Sequence, residues 1–275
     1  TVTYSYTDRN SCTNSDTANI LVNTAPTVDA GNYGPLCDNV SPITLTGTPT
    51  NSNGTWSGPG VTNNGNGTAT FNPAGLSGSI TVTYSYTDGN SCSNSDTANI
   101  LVNTAPTVDA GNYGPLCDNV NPITLTGTPT NSNGTWSGSG VTNNGNGTAT
   151  FNPAGLNGSI TVTYSYTDGN SCTNSDTANI LVNTAPTVDA GNYGPLCDNV
   201  SPITLTGTPT NSNGTWSGPG VTNNGNGTAT FNPAGLSGSI TVTYSYTDGN
   251  SCSNSDTANI LVNTAPTVDA GNYGP

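Results

Sequence analysis

Apolar residues alternate with hydroxylic ones in two stretches that recur along the chain. In Ile43-Thr44-Leu45-Thr46 and in Ser79-Ile80-Thr81-Val82-Thr83-Tyr84-Ser85-Tyr86 every second side chain is apolar or aromatic, and its neighbours are Ser or Thr. A period of two sets Ile80, Val82, Tyr84 and Tyr86 on one face of an extended segment, which is the pattern of a half-buried β-strand. β-Branched and aromatic residues suit that pleated surface. Further strands are expected at Thr27 to Ala30, near Leu36, at Thr55 to Ser57, at Thr68 to Phe71 and at Asp96 to Val102. Asn53-Gly54, Asn64-Gly65 and Pro73-Ala74-Gly75 fill the gaps with turn-forming residues, and no stretch sustains a helical period. About seven short strands without helices predict an all-β sandwich. Its expected core is Val28, Leu36, Ile43, Leu45, Trp56, Ala69, Phe71, Leu76, Ile80, Val82, Tyr84, Ala98, Ile100 and Val102.

The pattern repeats. TVTYSYTD begins at Thr1, Thr81, Thr161 and Thr241, a period of 80 residues without insertion or deletion. Self-similarity at fixed spacing marks a tandem array. Natural units run over 26–105, 106–185 and 186–265, with the turn-prone Thr-Ala-Pro as linker at each junction. Residues 1–25 read as the C-terminal part of one repeat and 266–275 as the start of another, so the polypeptide is expected to continue covalently into further repeats at both ends. The few differences alternate, as in Ser41, Asn121, Ser201 and Pro59, Ser139, Pro219. Such alternation points to a duplicated pair and to length as the varied property. A sandwich of this size buries only somewhat more than about 60% of its unfolded surface. Cross-links or neighbour contacts should therefore matter.

Composition narrows the function. One Lys or Arg in all, Arg9, against fifteen Asp gives a formal net charge of −14. With a single cationic side chain the protein has almost no means of neutralising phosphates, which effectively excludes nucleic acid and disfavours anionic membrane surfaces. No apolar run approaches the roughly 18 residues of a membrane-spanning helix, so this segment is not expected to insert directly. His is absent, which removes Ser-His and Cys-His nucleophiles and imidazole metal sites. Asp29, Asp38, Asp88 and Asp96 are the carboxylates of a unit, and nothing in the sequence pairs them as acid and base. The chain therefore reads as a non-enzyme that requires no cofactor. Calcium is the one candidate ion: Asp29, Asp88 and Asn90 would meet at one pole of a sandwich and offer oxygen ligands. The plainer reading is that these side chains satisfy turn amides.

Pro26-Thr27-Val28-Asp29-Ala30-Gly31, Gly54-Thr55-Trp56-Ser57-Gly58 and Ile80-Thr81-Val82-Thr83-Tyr84 leading into Thr87-Asp88-Gly89-Asn90-Ser91-Cys92 resemble the Ig-like and PKD-like repeats of giant secreted Bacteroidota cell-surface adhesins, the gliding-motility adhesins among them. The resemblance covers every complete unit. It implies a tandem array of Ig-like domains in an extended, fibre-like arrangement, exported to the cell surface and serving as the stalk that spaces an adhesive tip from the cell. Ile80 stands where the Tyr of a tyrosine corner would be expected. Asp-Thr-Ala is similar to the O-glycosylation signal of such exported proteins, which makes Thr17, Thr97, Thr177 and Thr257 candidate glycan carriers. Asn53-Gly54-Thr55 and Asn66-Gly67-Thr68 match N-glycan acceptors but read as turns. The alternative function is binding by the repeats themselves, to glycans through Trp56, Tyr33 and Tyr113 or to ice through Thr44, Thr46, Thr81 and Thr83. Exposed sheet edges also allow lateral self-association.

Each period carries two cysteines, Cys37 and Cys92 in the first complete unit, then Cys117, Cys172, Cys197 and Cys252, with Cys12 making seven. An exported chain should oxidise them, and no CxxC spacing suggests a metal. Pairing within a unit, Cys37-Cys92, Cys117-Cys172 and Cys197-Cys252, would close loops of about 55 residues. Position argues for the other pattern. Cys37 follows the first strand and should lie at the exit pole, Cys92 sits in the last hairpin at the entry pole, and disulfide Cα atoms must approach within about 7 Å. The exit pole of one unit faces the entry pole of the next, which favours Cys37-Cys172 and Cys117-Cys252.

Overall fold

The computed structural model describes residues 1–271; the last four residues of the expected start of a further repeat, 272–275, lie outside them. The chain divides into two compact units, Thr1–Thr107 with Thr167–Asn174, and Val108–Tyr166 with Ser175–Pro275. In the first unit a hairpin of β1 (Val2–Thr7) and β2 (Thr13–Ala18) precedes a sandwich of seven strands: β3 (Leu36–Cys37), β4 (Ile43–Thr46), β5 (Gly54–Ser57), β6 (Val61–Asn63), β7 (Thr68–Phe71), β8 (Gly78–Thr87) and β9 (Ser93–Asn103). One sheet has the order β3-β9-β8-β5 and the other β4-β7-β6. β3 runs parallel to β9, with Leu36 opposite Val102 and Cys37 opposite Asn103, and the other pairs are antiparallel. The same strand orders recur twice further along the chain. The protein is all-β, three tandem Ig-like sandwiches of about 80 residues each.

The alternation seen in sequence becomes burial. Along β8, Val82 and Tyr84 are fully buried and Ile80 is half-buried; along β9, Ala98, Ile100 and Val102 face the same interior. They meet Leu45, Ala69 and Phe71 from the opposite sheet, and Val28, Tyr33, Leu36, Ile43, Val61, Leu76 and Tyr86 close the margins. Each buried Leu, Ile or Phe contributes about 1.5–3 kcal/mol of transfer free energy. Trp56 packs between Tyr33, 6.4 Å away edge-on, and Tyr84 at 5.0 Å, and its Nε1–H donates to the Gly67 carbonyl at 3.0 Å. A Cβ on Gly47 would overlap the Tyr84 ring and one on Gly54 the Tyr84 hydroxyl, so both positions require glycine. The Tyr84 hydroxyl donates to the Pro49 carbonyl.

Two features depart from the expected strands. Thr27 to Ala30 makes only an isolated bridge, Asp29 with Thr48, because the Ala30 N–H donates to the Asp96 side chain instead of to a strand. Val61–Asn63 forms a strand between glycine-rich turns, where a single apolar residue gave no alternation to read.

Candidate functional site: the stapled hairpin

Cys37 is positioned by β3. Beyond its pairing with Asn103, Asp38 N–H donates to the Asn103 carbonyl at 2.9 Å, and the Asp38 carboxylate accepts the Ala105 N–H at 2.8 Å. These bonds fix the end of β9 and the start of the linker against the cysteine. Cys172 sits at a hairpin tip, residues 167–174, which belongs to the same compact unit as Cys37. There Asp168 Oδ1 accepts the N–H groups of Asn170 and Cys172, both at 2.9 Å, and Asp168 N–H donates to the Cys172 carbonyl at 2.9 Å. Ser171 takes φ 64°, the left-handed conformation the tip needs. A side chain placed by that many local bonds is presented with little freedom left to lose.

Cys37 and Cys172 form a disulfide with Cα atoms 5.6 Å apart, and Cys117 and Cys252 form a second with the same separation. Each lies inside one compact unit and joins cysteines 135 residues apart. Cys172 and Cys252 are fully buried. Beside each bond an asparagine repeats the link: Asn39 Nδ2 donates to the Thr173 carbonyl and Asn119 Nδ2 to the Ser253 carbonyl, both at 2.9 Å. Among the described residues no disulfide closes within a single 80-residue repeat, and Cys12, Cys92 and Cys197 have no disulfide partner.

The hairpin behind each tip is tied to the start of its own sandwich. Asn94 Nδ2 donates to the Pro26 carbonyl and the Asp96 carboxylate accepts the Ala30 N–H, both at 2.9 Å. Asp176 and Asp256 make the same bonds to Ala110 and Ala190. Those backbone donors, with Thr177 and Thr257, favour the charged form and lower both carboxyls from their ordinary value. Asp38, Asn39, Asn94 and Asp96 were not singled out as positioning residues by sequence; Asp-Asn directly after each exit cysteine, and Asn two residues after each hairpin cysteine, are the signals that could have found them.

Other candidate residues fall elsewhere. Asp29 Oδ1 accepts the Gly31 N–H, and Asp88 Oδ1 accepts those of Asn90 and Cys92, so the carboxylates considered for calcium serve turn amides. No group of three or more acidic, Cys or His side chains among the described residues is arranged to hold a metal ion. Trp56, Trp136 and Trp216 are each 4% exposed and offer no ring face to a glycan. Tyr33 and Tyr113 are half-buried, their hydroxyls hydrogen-bonded to the backbone of Thr46 and Thr126. Thr44, Thr46 and Thr81 are exposed, Thr83 is half-buried, and Thr81 donates to Asn99 Oδ1 at 2.7 Å. Thr17, Thr97, Thr177 and Thr257 are exposed.

No family model matches the chain, and no curated protein does. Among solved structures, extracellular domains 3–5 of Drosophila OTK align over 84% of this chain and 95% of that one at 13% identity and a TM-score of 0.30. The N-terminal eight Ig domains of Down syndrome cell adhesion molecule align over 95% of this chain and 43% of that one at 12% identity and a TM-score of 0.40. Mouse cadherin-23 EC22–24 aligns over 85% and 96% at 14% identity and a TM-score of 0.27. At such scores the Ig-like assignment rests on the strand order and core described above.

Proposed function

We propose that this chain is a section of an extracellular shaft, part of a long repetitive bacterial surface adhesin, and that its work is to space an adhesive tip from the cell and carry load. The observation that carries the reading is the pairing of Cys37 with Cys172 and of Cys117 with Cys252, each joining a repeat to the one after it. A binding module needs a presented surface; a load-bearing shaft needs covalent paths that pass its linkers, and these bonds supply them. Disulfides also belong to oxidising compartments outside the cytosol. The exposed Thr97 and its copies are free to carry glycans in the same setting.

Pulling single molecules by their ends tests the reading. At about 3.5 Å per residue a fully reduced chain extends to roughly 950 Å. With both bonds closed the shortest covalent route runs from Thr1 to Cys37, across to Cys172, back to Cys117 and across to Cys252, so extension stops near roughly 400 Å. Equal extension in oxidising and reducing buffer would show that load does not pass through the bonds and would end the shaft proposal.

A further inference from the structure

β4 pairs with β7 on one side only, so its other side is a sheet edge. An edge presents unpaired N–H and C=O groups to any passing strand, and a near-identical repeat in another copy of the chain carries strands that could take them. Backbone direction alternates along an antiparallel pair. Gly47 N–H donates to the Gly67 carbonyl, on the β7 side, so Thr44, Thr46 and Thr48 turn their backbone groups outward. The outward place before them, residue 42, is proline and has no N–H to offer. Thr48 exchanges two bonds with Asp29, at 2.9 and 3.0 Å. Thr46 N–H donates to the Tyr33 hydroxyl at 2.8 Å, and the Thr46 carbonyl accepts from that same hydroxyl at 3.3 Å. One side-chain oxygen thus does at Thr46 what a strand residue does at Thr48. Thr44 alone keeps both groups open among the described residues of this edge.

The hydroxyl is held in place. Asp29 Oδ1 accepts the Gly31 N–H at 2.8 Å and Gly31 takes φ 77°, which turns the chain so that Tyr33 comes alongside β4, and Trp56 braces its ring edge-on. The contact recurs between Tyr113 and Thr126, at 2.8 and 3.3 Å, and between Tyr193 and Thr206, at 2.7 and 3.2 Å. Packing on Trp56 needs only the ring, which phenylalanine would supply. Thr46 is exposed, so water would satisfy its backbone groups unaided. What the hydroxyl adds is occupancy of the edge. The other edges are closed by different means: β3 is two residues long, β6 three, and on β5 the Trp56 N–H donates to Asn63 Oδ1 at 3.1 Å and the Gly54 N–H to the Asn51 carbonyl at 3.0 Å.

We propose that Tyr33, with Tyr113 and Tyr193, is an autoinhibitory plug: its hydroxyl stands in for a strand at the edge of β4 and keeps that edge from taking up a strand of a second copy of the chain. With the plug in place an incoming strand finds one residue, Thr44, able to give and accept, between a proline and an occupied threonine. With the hydroxyl gone, Thr44 and Thr46 together offer two successive outward positions, enough to start a ladder between copies.

The full oxidised chain carrying Tyr33→Phe, Tyr113→Phe and Tyr193→Phe tests this. Dilute, its Thr46, Thr126 and Thr206 amides should exchange with solvent about tenfold faster than in the unaltered chain, as the loss of one hydrogen bond predicts. Concentrated, it should sediment as multimers where the unaltered chain sediments as monomer, and the same amides should slow again as strands add. Introducing Thr44→Pro, Thr124→Pro and Thr204→Pro as well removes the remaining outward donor of Thr44 and its copies and should return the chain to monomers. Phe variants that stay monomeric at every concentration, unchanged exchange at Thr46, multimers whose Thr46 amides stay fast or that survive the proline set, or multimers of the unaltered chain through Thr44 would each overturn the plug. Extension under load does not depend on these groups, so the shaft reading and the plug fail separately.

Discussion

Residues 1–18 and 81–98 differ only at Arg9 against Gly89 and Thr13 against Ser93, yet they meet different surroundings. Both form hairpins in the same register: Val2 faces Ala18 and Tyr4 faces Asp16, as Val82 faces Ala98 and Tyr84 faces Asp96. Both tips close through an aspartate that caps two N–H groups. Burial is where they part, with Tyr4 73% exposed and Tyr84 fully buried. Register is thus set locally by turn chemistry, and the second sheet is what turns the alternating pattern into stability. A strand sequence says which face is apolar; only the rest of the sandwich decides whether that face is covered.

The largest expected effect separates the two tyrosines. Tyr84→Ala removes a buried ring and the hydrogen bond to Pro49 and should cost about 3–5 kcal/mol, whereas Tyr4→Ala should stay within about 0.5 kcal/mol. In urea, roughly a third of the tryptophan signal should move to a lower midpoint for the first variant only, since each repeat holds one Trp. Equal shifts would mean that the hairpin 1–18 is buried in solution. Next comes the staple. Cys172→Ser opens a bond spanning 135 residues and should cost about 2–5 kcal/mol, against no measurable change for Cys12→Ser in the same oxidised protein, where Cys12 is an exposed free thiol. A melting temperature indifferent to Cys172→Ser would deny the staple any stabilising part.

The smallest effect concerns pH. Asp176 and Asp256 are lowered by the backbone donors of Ala110 and Ala190, with Thr177 and Thr257 adding to them. Their contribution is therefore present above the ordinary aspartate value of about 3.9 and lost as pH falls through the lower folded value. Tyr84, Tyr164 and Tyr244 are raised, first by burial and then by the neighbouring Tyr86, Tyr166 and Tyr246. Their contribution is present below the ordinary tyrosine value of about 10 and lost as pH rises through the folded one. Melting temperatures followed from acid to alkali should show both limbs. Asp176→Asn should flatten the acid limb and Tyr84→Phe the alkaline one; unchanged limbs would assign the pH dependence to other groups.

Most of the sandwich was legible because its strands alternate. Ile43–Thr46 and Thr68–Phe71 have the bounds their pattern gives, and Leu45, Trp56, Phe71, Val82, Tyr84 and Ile100 are buried as that pattern requires. Ala30 was missed, since a lone alanine beside a glycine carries no periodic signal, although it is fully buried under the Asp96 bond. Asp96 drew notice as the start of a strand, as one of the unit's carboxylates and beside Thr97, never as a partner of Ala30. Its use is set by a partner 66 residues away, and no local spacing encodes that. The same holds for Asn39, whose partner Thr173 lies 134 residues on.

Counted bond by bond, the chain has a fault tolerance that a simple string of domains lacks. The first disulfide spans every peptide bond from Cys37 to Cys172 and the second every one from Cys117 to Cys252, so the two spans overlap across residues 117–172. One hydrolysed peptide bond anywhere between Cys37 and Cys252, inside a loop or in the Thr-Ala-Pro linkers, leaves both pieces covalently tied. Bonds closed within each repeat would protect the loops and leave every linker a single point of failure. Because the spans run past the linkers, a protease must cut this stretch at least twice before anything held beyond it is lost.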